Sequence, residues 1–137
     1  MRKILRAGPL LTLNSMVVRI ASVVLSLAGL LALISGLLFW AGSVLNLVTM
    51  HMLLGFLAVA ALWAIAIMQL SAKAGSWMIG ASALIVGSLM IVVGVTQSSL
   101  MVGEHHWIIR VTHLTLGLCT IGIGHLGAAR YRKRAAE

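Results

Sequence analysis

Charge is scarce in this chain, and acid is scarcer still. Only 9% of the 137 residues are charged, and Asp and Glu together number two. A soluble domain carries about 25% charged residues, so a surface wetted on all sides is excluded. No acidic residue lies between Val17 and Val102. That removes the intramembrane carboxylates on which proton- or cation-coupled transport usually depends. The sole proline is Pro9, so no apolar run carries the break typical of transporter helices. The one cysteine, Cys119, lies within an apolar run and has no internal partner for a disulfide. No catalytic triad or metal–water site is visible, which leaves hydrolysis without a candidate.

What is abundant is apolar residues, at 61%. A helix needs about 20 of them to cross the hydrocarbon core of a bilayer. Four stretches qualify: Val17–Trp40, Thr49–Leu70, Ser76–Gln97 and Trp107–Ala129. Strands of a membrane barrel would alternate apolar and polar residues over about 10 positions. These runs do not alternate, and a helix satisfies its own backbone hydrogen bonds inside lipid. The connections 41–48, 71–75 and 98–106 are short, which makes successive helices antiparallel neighbours. The expectation is an all-α membrane fold: one domain over residues 1–137, an antiparallel bundle of four transmembrane helices.

The formal charge of +8 does not make this a nucleic-acid binder, which would need a basic stripe on a soluble surface. The cations cluster between the apolar runs. Arg2, Lys3, Arg6, Arg19, Lys73, Arg130, Arg132, Lys133 and Arg134 fall on one side of the predicted topology, and Arg110 alone falls on the other. The positive-inside rule makes the first side cytoplasmic, with both termini there. Trp40 and Trp107 suit the outer interface, and Trp77 and Tyr131 the inner one. The basic start resembles a signal-peptide n-region, but the apolar run after it is too long and lacks a clear cleavage site, so it is read as retained. The expected location is a bacterial inner, or cytoplasmic, membrane.

A repeat runs through the chain. The second span contains His51-Met52-Leu53-Leu54-Gly55 and the fourth His113-Leu114-Thr115-Leu116-Gly117, both His-x-x-Leu-Gly. The first span has Gly29 and Gly36 and the third Gly87 and Gly94, each pair seven apart. The chain thus reads as two helix pairs, each a glycine-bearing helix followed by a histidine-bearing one. Such repeats build pseudo-symmetric membrane bundles, although short motifs also recur by chance in apolar sequence.

Ionisable residues inside spans usually face the bundle interior and mark function. His51 and His113 both lie near the start of helices running from outside to inside, at similar depth. Two imidazoles from separate helices are what a six-coordinate haem iron takes. The competing reading is two histidines that only hydrogen-bond across helices. On the face of His51 lie Gly55, Ala58 and Leu62, and on that of His113 lie Gly117, Thr120 and Gly124. Small residues there leave room for a porphyrin edge, or serve close helix packing. Arg110, one turn before His113, suits a haem propionate or snorkels to the surface. His105 and His106 follow Glu104 in the outer loop, where a solvated loop contacting propionates or a partner is favoured over a metal site. Met50 and Met52 are weaker ligands beside His51. His125 has Trp63 at its matching position in the second span, so a second ligand pair is lacking and one haem b is expected. His125 itself is expected at the interface near Arg130.

The segment from Gly87-Ser88-Leu89-Met90-Ile91-Val92-Val93-Gly94 to Ile109-Arg110-Val111-Thr112-His113-Leu114-Thr115-Leu116-Gly117 resembles one four-helix half of the haem A synthase family. The pattern is also similar to small four-helix membrane b-type cytochromes. The resemblance implies histidines on the second and fourth helices as haem ligands, here His51 and His113. That family has two such halves and this chain has one. Its acidic residue near the second-helix histidine and its outer-loop cysteine pair have no counterpart here. The resemblance therefore implies the haem-binding bundle rather than synthase chemistry.

Two functions compete. One is a b-type haem protein carrying electrons, an electron carrier or redox subunit rather than a stand-alone enzyme, with a quinone or redox-complex subunits as partners. The other is a cofactor-free structural or assembly subunit of a larger membrane complex. A homo-oligomer is compatible with either.

Overall fold

A computed structural model describes residues 9–43 and 45–137. Arg2, Lys3 and Arg6 lie outside the described residues. The elements are α1 (Pro9–Trp40), a 3₁₀ turn (Leu45–Leu47), α2 (Val48–Ser71), α3 (Trp77–Thr96) and α4 (His106–Ala136). All four α-helices are long and apolar enough to cross a membrane. The shortest, α3, has 20 residues, which at 1.5 Å per residue spans about 30 Å, the thickness of the hydrocarbon core. Leu27, Leu30, Leu57, Ile85, Val92 and Leu118 are exposed, as lipid-facing side chains are and as a water-soluble surface is not. The architecture is that of an integral membrane helix bundle.

Two helices outrun their apolar spans. α1 begins at Pro9 rather than near Val17, and α4 continues past Ala129 to Ala136. Hydropathy marks the part of a helix that suits lipid, whereas Ala, Arg and Lys continue a helix equally well beyond it. α1 ends where Gly42 takes φ +75°. The Gly42 and Ser43 amides turn back onto the carbonyls of Phe39 and Leu38, a glycine-dependent helix stop.

Successive helices pack side by side, and α4 returns against α1. α2 and α4 also meet across the centre, whereas α1 and α3 scarcely meet. The bundle is therefore a rhombus, with the two histidine-bearing helices on its short diagonal.

The buried core occupies the end at which α1 starts, α4 finishes and α2 connects to α3. Val18, Leu25, Leu62, Ile65 and Tyr131 are fully enclosed there. Glycine lets the helices close: Leu25 and Leu62 fill the space beside Gly124, while Ile65 and Ile79 abut Gly127. A buried glutamine ties the end together. Gln69 Nε2 donates to the Gly127 carbonyl at 2.7 Å, and its Oε1 accepts from the Ser76 amide at 2.7 Å. One side chain of α2 thus holds the start of α3 and the last third of α4. Outside it, Arg134 Nη1 donates to the Gly75 carbonyl at 2.8 Å.

Candidate functional site

The opposite end of the bundle is hollow. A cavity of about 510 Å³ lies between the helices, and its wall includes His51, Gly55, Arg110, His113 and Gly117. The two histidines, the glycine one turn after each, and Arg110 thus line one space. The volume falls in the ordinary range for ligand pockets, about 300–1,000 Å³. A smaller recess of about 60 Å³ continues between α2 and α3 and touches both imidazoles, with Phe56 and Ile91 in its wall.

The two imidazoles face each other with ring centroids 6.1 Å apart and planes inclined by 52°. Each is seated by a glycine of the preceding helix. A Cβ placed on Gly36 would lie 3.2 Å from His51 Cε1, and one on Gly94 would lie 3.1 Å from His113 Cε1. In the sequence these glycines stand out only as markers of repetition. Their role as seats needed the rotation of each helix about its axis, which a nearly uniform apolar helix does not encode.

The rings differ in what holds them. Ser35 Oγ lies 2.9 Å from His51 Nδ1. The same Oγ lies within hydrogen-bond distance of the carbonyls of Leu31 and Ala32, at 2.9 and 3.0 Å, to which its hydrogen can be given. With that hydrogen on a carbonyl, the serine oxygen can accept from His51 Nδ1–H, the tautomer that leaves the Nε2 lone pair free. Phe39 packs edge-on to the same ring at 5.3 Å. His113 Nδ1 is buried without a hydrogen-bond partner.

Glycine beside the histidines makes space rather than contact. Nothing approaches a Cβ on Gly55 within 4 Å, and only Met90 Cε, at 3.6 Å, approaches one on Gly117. The small-residue faces split by depth. Gly55, Ala58, Gly117 and Thr120 line the cavity, whereas Leu62 and Gly124 close the core beneath it. The Thr120 hydroxyl is buried and unpartnered.

The mouth is chemically two-sided. Gln97, Ser98, His106 and Arg110 stand on the α3–α4 side, and Phe39, Trp40 and Val48 on the α1–α2 side. His106 is the first residue of α4, and its Nδ1 is 3.2 Å from the Leu100 carbonyl. It shares a helix face with Arg110 and His113, which the sequence, reading it as loop, did not reveal. His105 is exposed just before α4. Met52 lines the cavity, and Met50 is exposed. His125 is exposed on α4, and its Nε2 is 3.2 Å from Ser26 Oγ on α1. Trp63 lies against Gly87 of α3.

Among the described residues, no group of three or more His, Cys, Asp or Glu could hold a bare metal ion. An ion bound by His51 and His113 would have to bring further ligands with it, as iron in a porphyrin does. An imidazole nitrogen binds a transition metal at about 2.0–2.1 Å. Two ring nitrogens bound to one ion from opposite sides would stand about 4 Å apart, a spacing within reach of rings whose centroids are 6.1 Å apart.

Comparison with protein-family models, with curated proteins and with solved structures finds no match.

Proposed function

We propose that the protein is a membrane-bound b-type haem protein that carries electrons, with one haem held between His51 and His113. The observation that carries the reading is the pair of imidazoles 6.1 Å apart across a cavity, each backed by a glycine. Open space at Gly55, with only the tip of Met90 beside Gly117, favours a cofactor over the alternative of a cofactor-free assembly subunit, whose small residues would pack closely against a neighbouring helix.

When bound, the haem supplies one-electron chemistry at its iron. The chain's residues do the rest. His51 and His113 each present a ring nitrogen. Ser35 orients the first ring, as partners of metal-bound histidine do. Arg110, with His106 and Gln97 beside it, offers donors for the carboxylates of the cofactor. Phe39, Trp40 and Val48 receive its apolar edge. The apolar walls lower the local dielectric and favour the less charged, reduced state.

The helix-pair repeat belongs to the same reading. Gly36 seats His51 as Gly94 seats His113, and Gly29 abuts Ile121 of α4 as Gly87 abuts Val59 of α2. Exchange of the two pairs maps each of these contacts onto its counterpart. The distribution of Lys and Arg supports cytoplasmic termini, which sets the haem towards the outer side of a bacterial inner membrane. A quinone or the subunits of a redox complex are the partners this placement favours. The resemblance to half of haem A synthase and to four-helix cytochromes b rests on the same residues.

A pyridine haemochrome assay on the purified protein tests the reading. One haem b per chain, with sharp bands in the reduced-minus-oxidised spectrum, is expected. The bands should vanish when His51 and His113 are both replaced by Ala. Protein that neither retains nor takes up haem would end it.

A further inference from the structure

The two halves of the site are matched in position and unequal in grip. His51 is held by the Ser35 oxygen at 2.9 Å and by the edge contact with Phe39. Ser35 immediately precedes Gly36, the seat of His51. In the other half, the residue preceding the seat Gly94 is Val93, which has no hydroxyl to offer. Accordingly His113 Nδ1 is buried without a partner. The position matching Phe39 is Gln97, three residues past its seat as Phe39 is past Gly36. The glycine seats themselves are alike, at 3.2 and 3.1 Å, so backbone packing does not compensate for the difference.

A metal-bound histidine almost always donates its second ring N–H, and that donation raises its basicity and strength as a ligand. His51 has such an acceptor and His113 does not. The recess between α2 and α3 touches both rings, and apart from Gln97 and the imidazoles its wall is apolar, with Phe56, Val59 and Ile91, so a small uncharged molecule can stand beside the pair.

We infer that His113 is the exchangeable ligand, and that the α4 side of the site binds a small neutral π-acceptor molecule of the carbon monoxide class. This rests on the haem reading given above. In the exchange His113 withdraws its nitrogen lone pair from the iron and the incoming molecule supplies its own. No electron is transferred. The protein is then a haem sensor or ligand-binding site as well as an electron carrier.

The experiment uses the full-length protein in detergent, reconstituted with haem, reduced with dithionite and titrated with carbon monoxide. The unsubstituted protein is expected to give a carbon monoxide difference spectrum. Val93→Ser, which restores the missing acceptor, should weaken carbon monoxide binding about tenfold, the lower end of the effect of outer partners on metal sites. Ser35→Ala should narrow the difference between the two rings and lower haem retention. His113→Ala should keep haem, now five-coordinate, and bind carbon monoxide more tightly, with added imidazole restoring the six-coordinate spectrum. His51→Ala should lose most of its haem.

Haem that is bound by the unsubstituted protein but gives no spectral change at saturating carbon monoxide would overturn the inference and leave the bis-histidine reading intact. So would the reverse pattern, with His51→Ala retaining haem and His113→Ala losing it. Absence of haem uptake by the unsubstituted protein would overturn both. Imidazole rescue of either alanine variant shows that it is folded.

Discussion

The same four helices are packed solid at one end and hollow at the other. At the packed end, large side chains occupy the space that glycine leaves: Leu25 and Leu62 beside Gly124, and Ile65 and Ile79 beside Gly127. At the hollow end, Gly55 meets nothing within 4 Å and Gly117 meets only the tip of Met90. Residue type alone therefore does not say whether a glycine in a membrane helix is a contact or a vacancy. The partner decides. Leucine and isoleucine reach across at the closed end, and two imidazoles stand apart at the open one. The closed end positions the helices, and the open end is the space they leave between the two imidazoles.

Filling the hollow tests the comparison most severely. Gly55→Leu projects a large side chain into the cavity, so haem content should fall to near zero while the unfolding midpoint in detergent stays close to that of the unsubstituted protein. Unchanged haem content would mean that the cavity is not its site.

The packed end should respond in the opposite sense. Gly124→Ala sets a methyl group against Leu25, and overpacking of this kind costs about 1–3 kcal/mol. Gly55→Ala meets open space and should be neutral or stabilising. Equal losses in a chemical unfolding series would erase the distinction between the two ends. Gln69→Leu leaves the Ser76 amide without its partner and should cost about 1–3 kcal/mol, the penalty of an orphaned buried polar group.

A smaller change is expected at the mouth. Arg110 is exposed, so a charged hydrogen bond from it falls at the low end of its range, about 1.5 kcal/mol or roughly tenfold in affinity. Arg110→Gln should weaken binding of haem by that factor and leave binding of haem dimethyl ester unchanged. An equal loss for both forms would show that Arg110 acts on the fold rather than on carboxylates.

Much of this arrangement is written in the residues, and some is not. The four spans follow from apolar length, because a bilayer demands it. The pairing of His51 with His113 follows from two short connections and equal depth. Gly55, Gly117 and Arg110 follow from helical spacing relative to those histidines. Ser35, Gly36 and Gly94 do not, because their roles depend on how α1 and α3 rotate about their own axes. A helix apolar on every side carries no polar stripe to report that rotation. Gln69 was equally silent: a single amide in a hydrophobic run does not announce which two backbones it will bridge. His106 was obscured because the start of α4 has no capping side chain, so its sequence looks like connection.

The Gln69 bridge has a consequence for biogenesis. Its two bonds reach the beginning of α3 and the carbonyl of Gly127 in the final helix. A nascent chain that has delivered only three helices to the lipid has neither that fastening nor His113. The pocket is thus complete only once α4 has been inserted beside α2, and a three-helix intermediate in the bilayer presents one imidazole rather than two.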